Sequence, residues 1–335
     1  MTASLRNTIT ELTAANRRAP DAAVECQLAD LRLRGFHDQS KPLEKTASDI
    51  WPPAFTDPFA GKAFPATGGI PEISLDELNV DTLAGGILHH GSVIVRGLLK
   101  SSQAQALISD IDRVMAAQQA RAAGAAPSET APWFAPPEFL AQFKLGVGRK
   151  FIAETGGIWA IDSPRALFRV LEVYEQLGLR KLLTDYFGEA PCLSVRKWVL
   201  RRVAPLPQES DWHQDGSFMG TQIRSANLWI ALNRCGGDTD TPGIELIPKR
   251  LDHIVKTGTH GARFEWVVGP QAIPELFADT PPVCPLFEQG DAIFFDHFNL
   301  HRTSYAAHIT QNRYAIECWF FAQSAYPAEQ IPLLF

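Results

Sequence analysis

The chain has 335 residues, 45% apolar and 20% charged, the make-up of a globular protein with a real core, which excludes a disordered or fibrous one. A formal net charge of −6 argues against a broad nucleic-acid surface, which needs a basic face. The five scattered cysteines, Cys26, Cys192, Cys235, Cys284 and Cys318, contain no C-x-x-C pair, so neither a disulfide framework nor a zinc knuckle is indicated, and they read as small buried side chains.

The first 85 residues open with an Ala-rich helical stretch that lacks the apolar core of a secretory signal. The Pro- and Gly-rich "DIWPPAFTDPFAGKAFPATGGIPE" then reads as an irregular segment packed on the domain. No apolar run anywhere reaches the length of a membrane span, so a cytoplasmic protein is expected. "GSVIVRGLL" (91–99) is a strand by its β-branched content, and Ser101 and Ser102 are cap candidates for the amphipathic helix "AQALISDIDRVMAAQQARAA". A Pro-rich loop follows, then "SPRALFRVLEVYEQLGLRKLLTDYFG" as one or two helices.

From about residue 191 short strands alternate with turns: "CLSVRKWVLRRVAP", "SANLWIALNRC", "GIELIPKR", "DAIFFDHF" and "NRYAIECWFFAQ". That spacing points to a β-sandwich or barrel, giving an α+β protein with a mainly β core. Strand alternation sets Lys197 and Arg201 on one face of the first of these and Arg202 on the other, either solvated or reaching a ligand.

Within this β-rich half lies "DWHQDGSF". Residues two apart on a strand face the same side, so His213 and Asp215 can converge on one point. The bland alternative is that Asp215 caps the turn at Gly216 while His213 sits in the core. A second His comes from "GDAIFFDHFNLHRT", where His301 is preferred over its rival His297 because Thr303 and Arg313 follow it. Two imidazoles and one carboxylate on one face of a metal suit non-haem Fe(II) and leave coordination positions open. Arg313, on the next strand, is an always-charged fork that needs a carboxylate partner, which a dicarboxylate co-substrate could supply, with Thr303 adding a hydroxyl. Glu317 and Trp319 share the Arg313 face of that strand.

These motifs, "HQD" at 213–215, "GDAIFFD" leading into "LHRT", and Arg313 in "NRYAIECW", resemble the phytanoyl-CoA dioxygenase-like family of Fe(II)/2-oxoglutarate-dependent oxygenases. The resemblance runs over roughly residues 85–322. It implies a double-stranded β-helix, a jelly-roll or cupin-like barrel flanked by helices, with residues 1–85 as an N-terminal extension, 86–335 as the oxygenase domain and the barrel core at about 190–322. It implies His213, Asp215 and His301 as iron ligands, Arg313 and Thr303 as the 2-oxoglutarate clamp, Trp229 lining that pocket, and Asn227 on the same strand face. The implied activity is that of a dioxygenase that uses Fe(II), 2-oxoglutarate and O2 to hydroxylate or otherwise oxidise a small molecule, releasing succinate and carbon dioxide. An acidic residue at 215 favours oxidation over halogenation. Candidate substrate loops are 122–137, with Trp133 and Phe134, and 256–266, "KTGTHGARFEW", both Gly- or Pro-interrupted and expected to expose their aromatics. The rival readings are a cupin-like metal enzyme independent of 2-oxoglutarate, which has no need of an Arg313–Thr303 clamp, and a non-catalytic binding protein on the same barrel. Neither a nucleic acid nor a membrane is expected as a partner.

Overall fold

The computed structural model describes residues 3–37, 55–205 and 209–335. Among them are ten strands: β1 (Glu72–Ser74), β2 (Ser92–Arg96), β3 (Gly157–Trp159), β4 (Pro191–Val203), β5 (Ser225–Ala231), β6 (Ile244–Leu246), β7 (Ala292–Phe295), β8 (His301–Thr303), β9 (Arg313–Ala322) and β10 (Pro332–Leu334). The principal helices of the first part are α1 (Ala3–Arg18), α2 (Ala22–His37), α3 (Val80–His90) and α4 (Ser101–Ala122). The architecture is mixed α+β with mostly antiparallel strand pairing. No described helix is long and apolar enough to cross a membrane. The chain divides into two compact units, one built from residues 1–46, 105–202 and 318–335, the other from 47–104 and 203–317.

In the first unit the helical start closes on itself because its apolar residues recur on one face. Ile9 and Leu28 bury together with Leu334 of β10, and Leu5, Leu12, Val24 and Phe168 pack around them. The region expected to hold one or two helices holds two, Pro164–Gln176 and Leu179–Phe187, parted at Gly178, whose φ of 68° suits a residue without a Cβ. β4 is paired antiparallel by β3 (Trp159 opposite Val199) and by β10 (Leu333 opposite Leu193). Among its basic residues, Arg202 Nη1 donates to Asp112 Oδ1 at 2.9 Å, Arg201 Nη1 to Thr155 Oγ1 at 3.2 Å and Arg196 Nη1 to Glu329 O at 3.3 Å. Trp319 is fully buried. Trp133, expected as an exposed loop aromatic, is instead partly buried beneath the guanidinium groups of Arg113, Arg165 and Arg169, at 5.2, 5.6 and 5.3 Å from its ring centre. α4 takes in Ser101 and Ser102 as its first residues and does not use them as caps; Gln103 Oε1 accepts the N–H of Lys100 at 3.0 Å.

The second unit carries the run β1–β2–β7–β5, extended by the first half of β9. β1 joins β2 in parallel, while β2–β7 and β5–β7 are antiparallel, with Asn227 opposite Phe295 and Trp229 opposite Ile293. α3 packs on β2 and β7. It was not expected, because Gly85 and Gly86 sit mid-helix, where glycine weakens a helix. Both are there for close approach: a Cβ at Gly86 would stand 2.3 Å from Val93 Cβ, and one at Gly85 2.3 Å from Pro58 Cδ. The Pro-rich segment lies outside the described residues at 49–54 and continues from 55 as turns, then β1, a short strand within the stretch expected to be irregular. A separate two-stranded ribbon, β6–β8, sets Leu246 opposite His301 and Ile244 opposite Thr303. Beside it Trp212, Ile247, Leu251, Val255, Val268, Ile273, Phe277 and Leu300 form a buried cluster.

Candidate metal centre

The residues of "DWHQDGSF" are held by backbone pairing. Trp212 and His213 bridge antiparallel to Val268 and His301. His213 N donates to His301 O at 3.0 Å and His301 N to His213 O at 3.1 Å. Directly opposed residues of an antiparallel pair put their side chains on one face, so the two imidazole rings meet with centres 4.5 Å apart. Alternation turns Trp212 and Gln214 the other way, into the interior. The chain then turns at Asp215 into the four-residue helix Gly216–Met219; Met219 N donates to the Asp215 carbonyl at 2.9 Å, and the Asp215 carboxylate makes no cap bond. Gly216 is needed there, since a Cβ would meet His297 O at 2.9 Å and Ile254 Cδ1 at 2.8 Å.

The outcome is a three-membered cluster. One ligand-type atom each from His213, Asp215 and His301 lie within 4.8 Å of one another. Asp215 is buried and His213 partly exposed. Each histidine Nδ1 faces the carbonyl two residues before it, His213 with Asp211 O at 3.0 Å and His301 with Asn299 O at 3.2 Å. Those bonds place the proton on Nδ1 and leave both Nε2 lone pairs for a metal. His297 stays outside the cluster: it is buried, and its Nδ1 lies 2.8 Å from Ser225 Oγ.

Loss of hydration, with His213 as a neighbouring cation when charged, pushes the pKa of His301 from 6.5 down to about 4. The imidazole therefore stays neutral, as a ligand must. In metal-free protein the unfolded chain takes up this proton near pH 6.5 and the folded chain only near pH 4. Stability from this residue is thus complete above pH 6.5 and drains away as pH falls toward 4. Thermal unfolding of chelator-treated protein between those limits is expected to show this slope, and His301→Gln to flatten it.

Sequence reasoning missed Gln214, the middle residue of the motif. It is fully buried; Nε2 donates to His253 O (2.9 Å) and Phe298 O (2.7 Å), and Oε1 accepts from Val255 N (2.7 Å). It ties the loops before and after the ribbon to the turn that carries Asp215. The only available signal was alternation, which turns the middle residue of H-x-D away from the candidate ligand His213. Gln214→Leu removes the partner of one buried and two part-buried backbone groups, so a loss of about 2 kcal/mol is expected in urea unfolding.

The ribbon continues toward Arg313. Thr303 follows His301 by two residues on β8, hence on its face. Arg313, at the start of β9, is 3% exposed; Nη1 donates to Gly243 O at 2.7 Å, Nη2 lies 3.5 Å from Thr303 Oγ1, and the guanidinium stands 5.5 Å from the Trp229 ring centre. Trp229 is backed edge-on by Phe287, with ring centres 5.1 Å apart. Asn227 is buried, and its Oδ1 has no hydrogen-bond partner among the described residues. Glu317, further along β9, bears electrostatically on His301.

No protein-family model and no curated protein matches the chain. Among solved structures it is similar to AviO1 from Streptomyces viridochromogenes Tue57 (15% identity, 72% of this chain and 93% of that one, TM-score 0.43). It is similar to EctD from S. alaskensis, solved with 2-oxoglutarate and 5-hydroxyectoine (15%, 70% and 73%, 0.46). EvdO2 from Micromonospora carbonacea var. aurantiaca, complexed with 2-oxoglutarate, is a third (15%, 70% and 87%, 0.43).

Proposed function

We propose that the chain is an Fe(II)- and 2-oxoglutarate-dependent dioxygenase that hydroxylates or otherwise oxidises a small organic molecule, with residues 86–335 as a double-stranded β-helix domain of the phytanoyl-CoA dioxygenase-like kind. The observation that carries this reading is the convergence of His213, Asp215 and His301. The donor set fits the metal: two neutral imidazoles and one carboxylate match a facial triad and leave one face open. The Arg313–Thr303 pair fits the co-substrate, since a buried guanidinium beside a hydroxyl suits a carboxylate. When bound, iron and 2-oxoglutarate would together supply an oxidant that draws on dioxygen, with succinate and carbon dioxide as co-products.

The chain's own part is placement. Asp211 O and Asn299 O fix the ring orientation of His213 and His301. Asp215 contributes the only negative charge of the ligand set, so a bound divalent ion keeps a net positive charge toward an anionic ligand. Arg313 and Thr303 would hold the distal carboxylate of 2-oxoglutarate. Trp229 and Phe287, both buried, would keep water from the guanidinium so that the ion pair acts at low dielectric. The test is anaerobic titration of the full chain with Fe(II), followed by 2-oxoglutarate turnover to succinate once oxygen is admitted. If neither iron nor 2-oxoglutarate binds, the reading falls and a non-catalytic barrel takes its place.

A further inference from the structure

A file of aromatic rings leads outward from the candidate ligand His213. The edge of Trp266 meets the His213 imidazole with ring centres 6.0 Å apart at 84°. Phe218 stands against Trp266 at 5.6 Å and 87°, and Phe264 stacks on it at 5.6 Å and 9°. The two phenylalanines are 42% and 51% exposed. Adjacent exposed aromatic rings, here one from the helix Gly216–Met219 and one from the 256–266 loop, cost solubility unless something uses them.

The segment that carries them is built. Ser217 Oγ donates to Trp266 O at 2.9 Å and Gly258 N to Val267 O at 3.0 Å. Arg263 Nε donates to Asp211 Oδ1 at 2.8 Å and its Nη2 to Glu209 O at 2.9 Å. Gly258 and Gly261 take φ of 70° and 80°, and a Cβ at Gly269 would stand 2.1 Å from two carbonyl oxygens of this loop. Asp211 thus serves both structures at once: its carboxylate anchors the loop through Arg263, and its carbonyl orients His213. Rings fixed in this way lose little freedom when a ligand lies on them.

From this we propose that Phe218, Phe264 and Trp266 form the recognition wall for the oxidised substrate, and that this substrate presents a flat, aromatic or unsaturated ring face. The assignment of a substrate rests on the oxygenase reading above. Parallel Phe264 and Trp266 offer a stack that a flat ring extends, a contact that aromatic pairs reward beyond area alone. The three rings carry no charge, and the nearby Arg263 is paired with Asp211, so the wall itself favours an apolar ring face. Size separates a small molecule from a macromolecule. Two half-exposed phenylalanines offer roughly 200 Å², against about 800 Å² per partner in a stable protein interface. The Trp266 ring meets His213, so the wall begins at a residue of the three-membered cluster.

The experiment uses the metal-free full chain and 2-naphthol as the flat probe, with cyclohexanol as the saturated control, read by saturation-transfer NMR and calorimetry. 2-Naphthol is expected to bind at about millimolar strength or tighter and cyclohexanol at least about fivefold more weakly. Phe264→Ala and Phe218→Ala are each expected to weaken 2-naphthol by about three- to tenfold, and Phe264→Leu, which keeps apolar bulk, to do likewise. Added Mn(II) is expected to broaden the naphthol signals. Absence of naphthol binding, affinity unchanged in Phe264→Ala, or Mn(II) bound without broadening each overturns the proposal. So does a wild-type dimer in sedimentation that Phe264→Ala dissolves, since the wall would then serve a second copy. The probe is read without metal, so failure of Fe(II) to bind wild-type protein counts against the oxygenase reading and not against the wall.

Discussion

His213→Ala is expected to lower Fe(II) affinity at least about a hundredfold and to abolish succinate formation, with the fold retained. Groups that merely orient a ligand change metal affinity by about 10- to 100-fold, and the ligand itself is worth no less. Retention of the fold follows from how the residue is held. The bridge to His301 runs through backbone N–H and C=O groups, which alanine keeps, and the side chain is partly exposed. What is lost besides the metal bond is one hydrogen bond to Asp211 O, worth about 1 kcal/mol, and the ring contacts with His301 and Trp266. His301→Ala is expected to match it in iron affinity. The deciding control is His297→Ala. Removing that buried ring breaks the contact with Ser225 and costs stability, yet iron affinity should stay within a few fold, because His297 stands outside the cluster. Anaerobic Fe(II) titration of the three variants beside wild type is the measurement. If His297→Ala lost iron while His301→Ala kept it, the ligand set would be wrong.

What the sequence let through, and what it hid, follows from range. The candidate ligands were legible only in part by counting: His301 and Thr303 share a face of β8 through the side-chain period of two, whereas Asp215 comes beside His213 through the helical turn that begins at it, not through strand alternation. The strand runs around Val93, Leu228 and Phe294 were legible because they are continuous, β-branched or aromatic, and bounded by turns. Helix α3 was hidden because its glycines answer to Val93 and Pro58, neighbours in space that local propensity does not see. Gln214 was hidden for the same reason: its three partners are the backbones of residues 39 to 84 positions away. Trp133 read as an exposed loop aromatic because its three arginines come from two other stretches of chain. The 256–266 loop was legible as a site of aromatics but not as a wall, since its order comes from Arg263 reaching Asp211 and Ser217 reaching the Trp266 carbonyl.

Arg313→Met is expected to raise the 2-oxoglutarate concentration for half-maximal turnover by about a hundredfold or more while Fe(II) affinity holds. Stripping one partner from a buried, hydrogen-bonded charge pair costs about 2–5 kcal/mol, which spans roughly 30-fold to a few thousandfold in affinity. The cost to the fold should be small beside that. The Gly243 carbonyl that Arg313 serves also accepts from Ser304 N at 3.1 Å, so it keeps a donor, and the methionine stem still lies against Trp229. Arg313→Lys tests geometry against charge. It keeps the positive charge but presents a point donor where the fork stood, and is expected to recover only part of the loss. Thr303→Val removes one hydroxyl and should cost about tenfold at most. Because Arg313 Nη2 and Thr303 Oγ1 already meet at 3.5 Å, the double variant should fall short of the product of the singles. Should the half-saturation of Arg313→Met equal that of wild type, the guanidinium is a structural cation of the β6–β8 ribbon, and 2-oxoglutarate would have to be held elsewhere or not used at all.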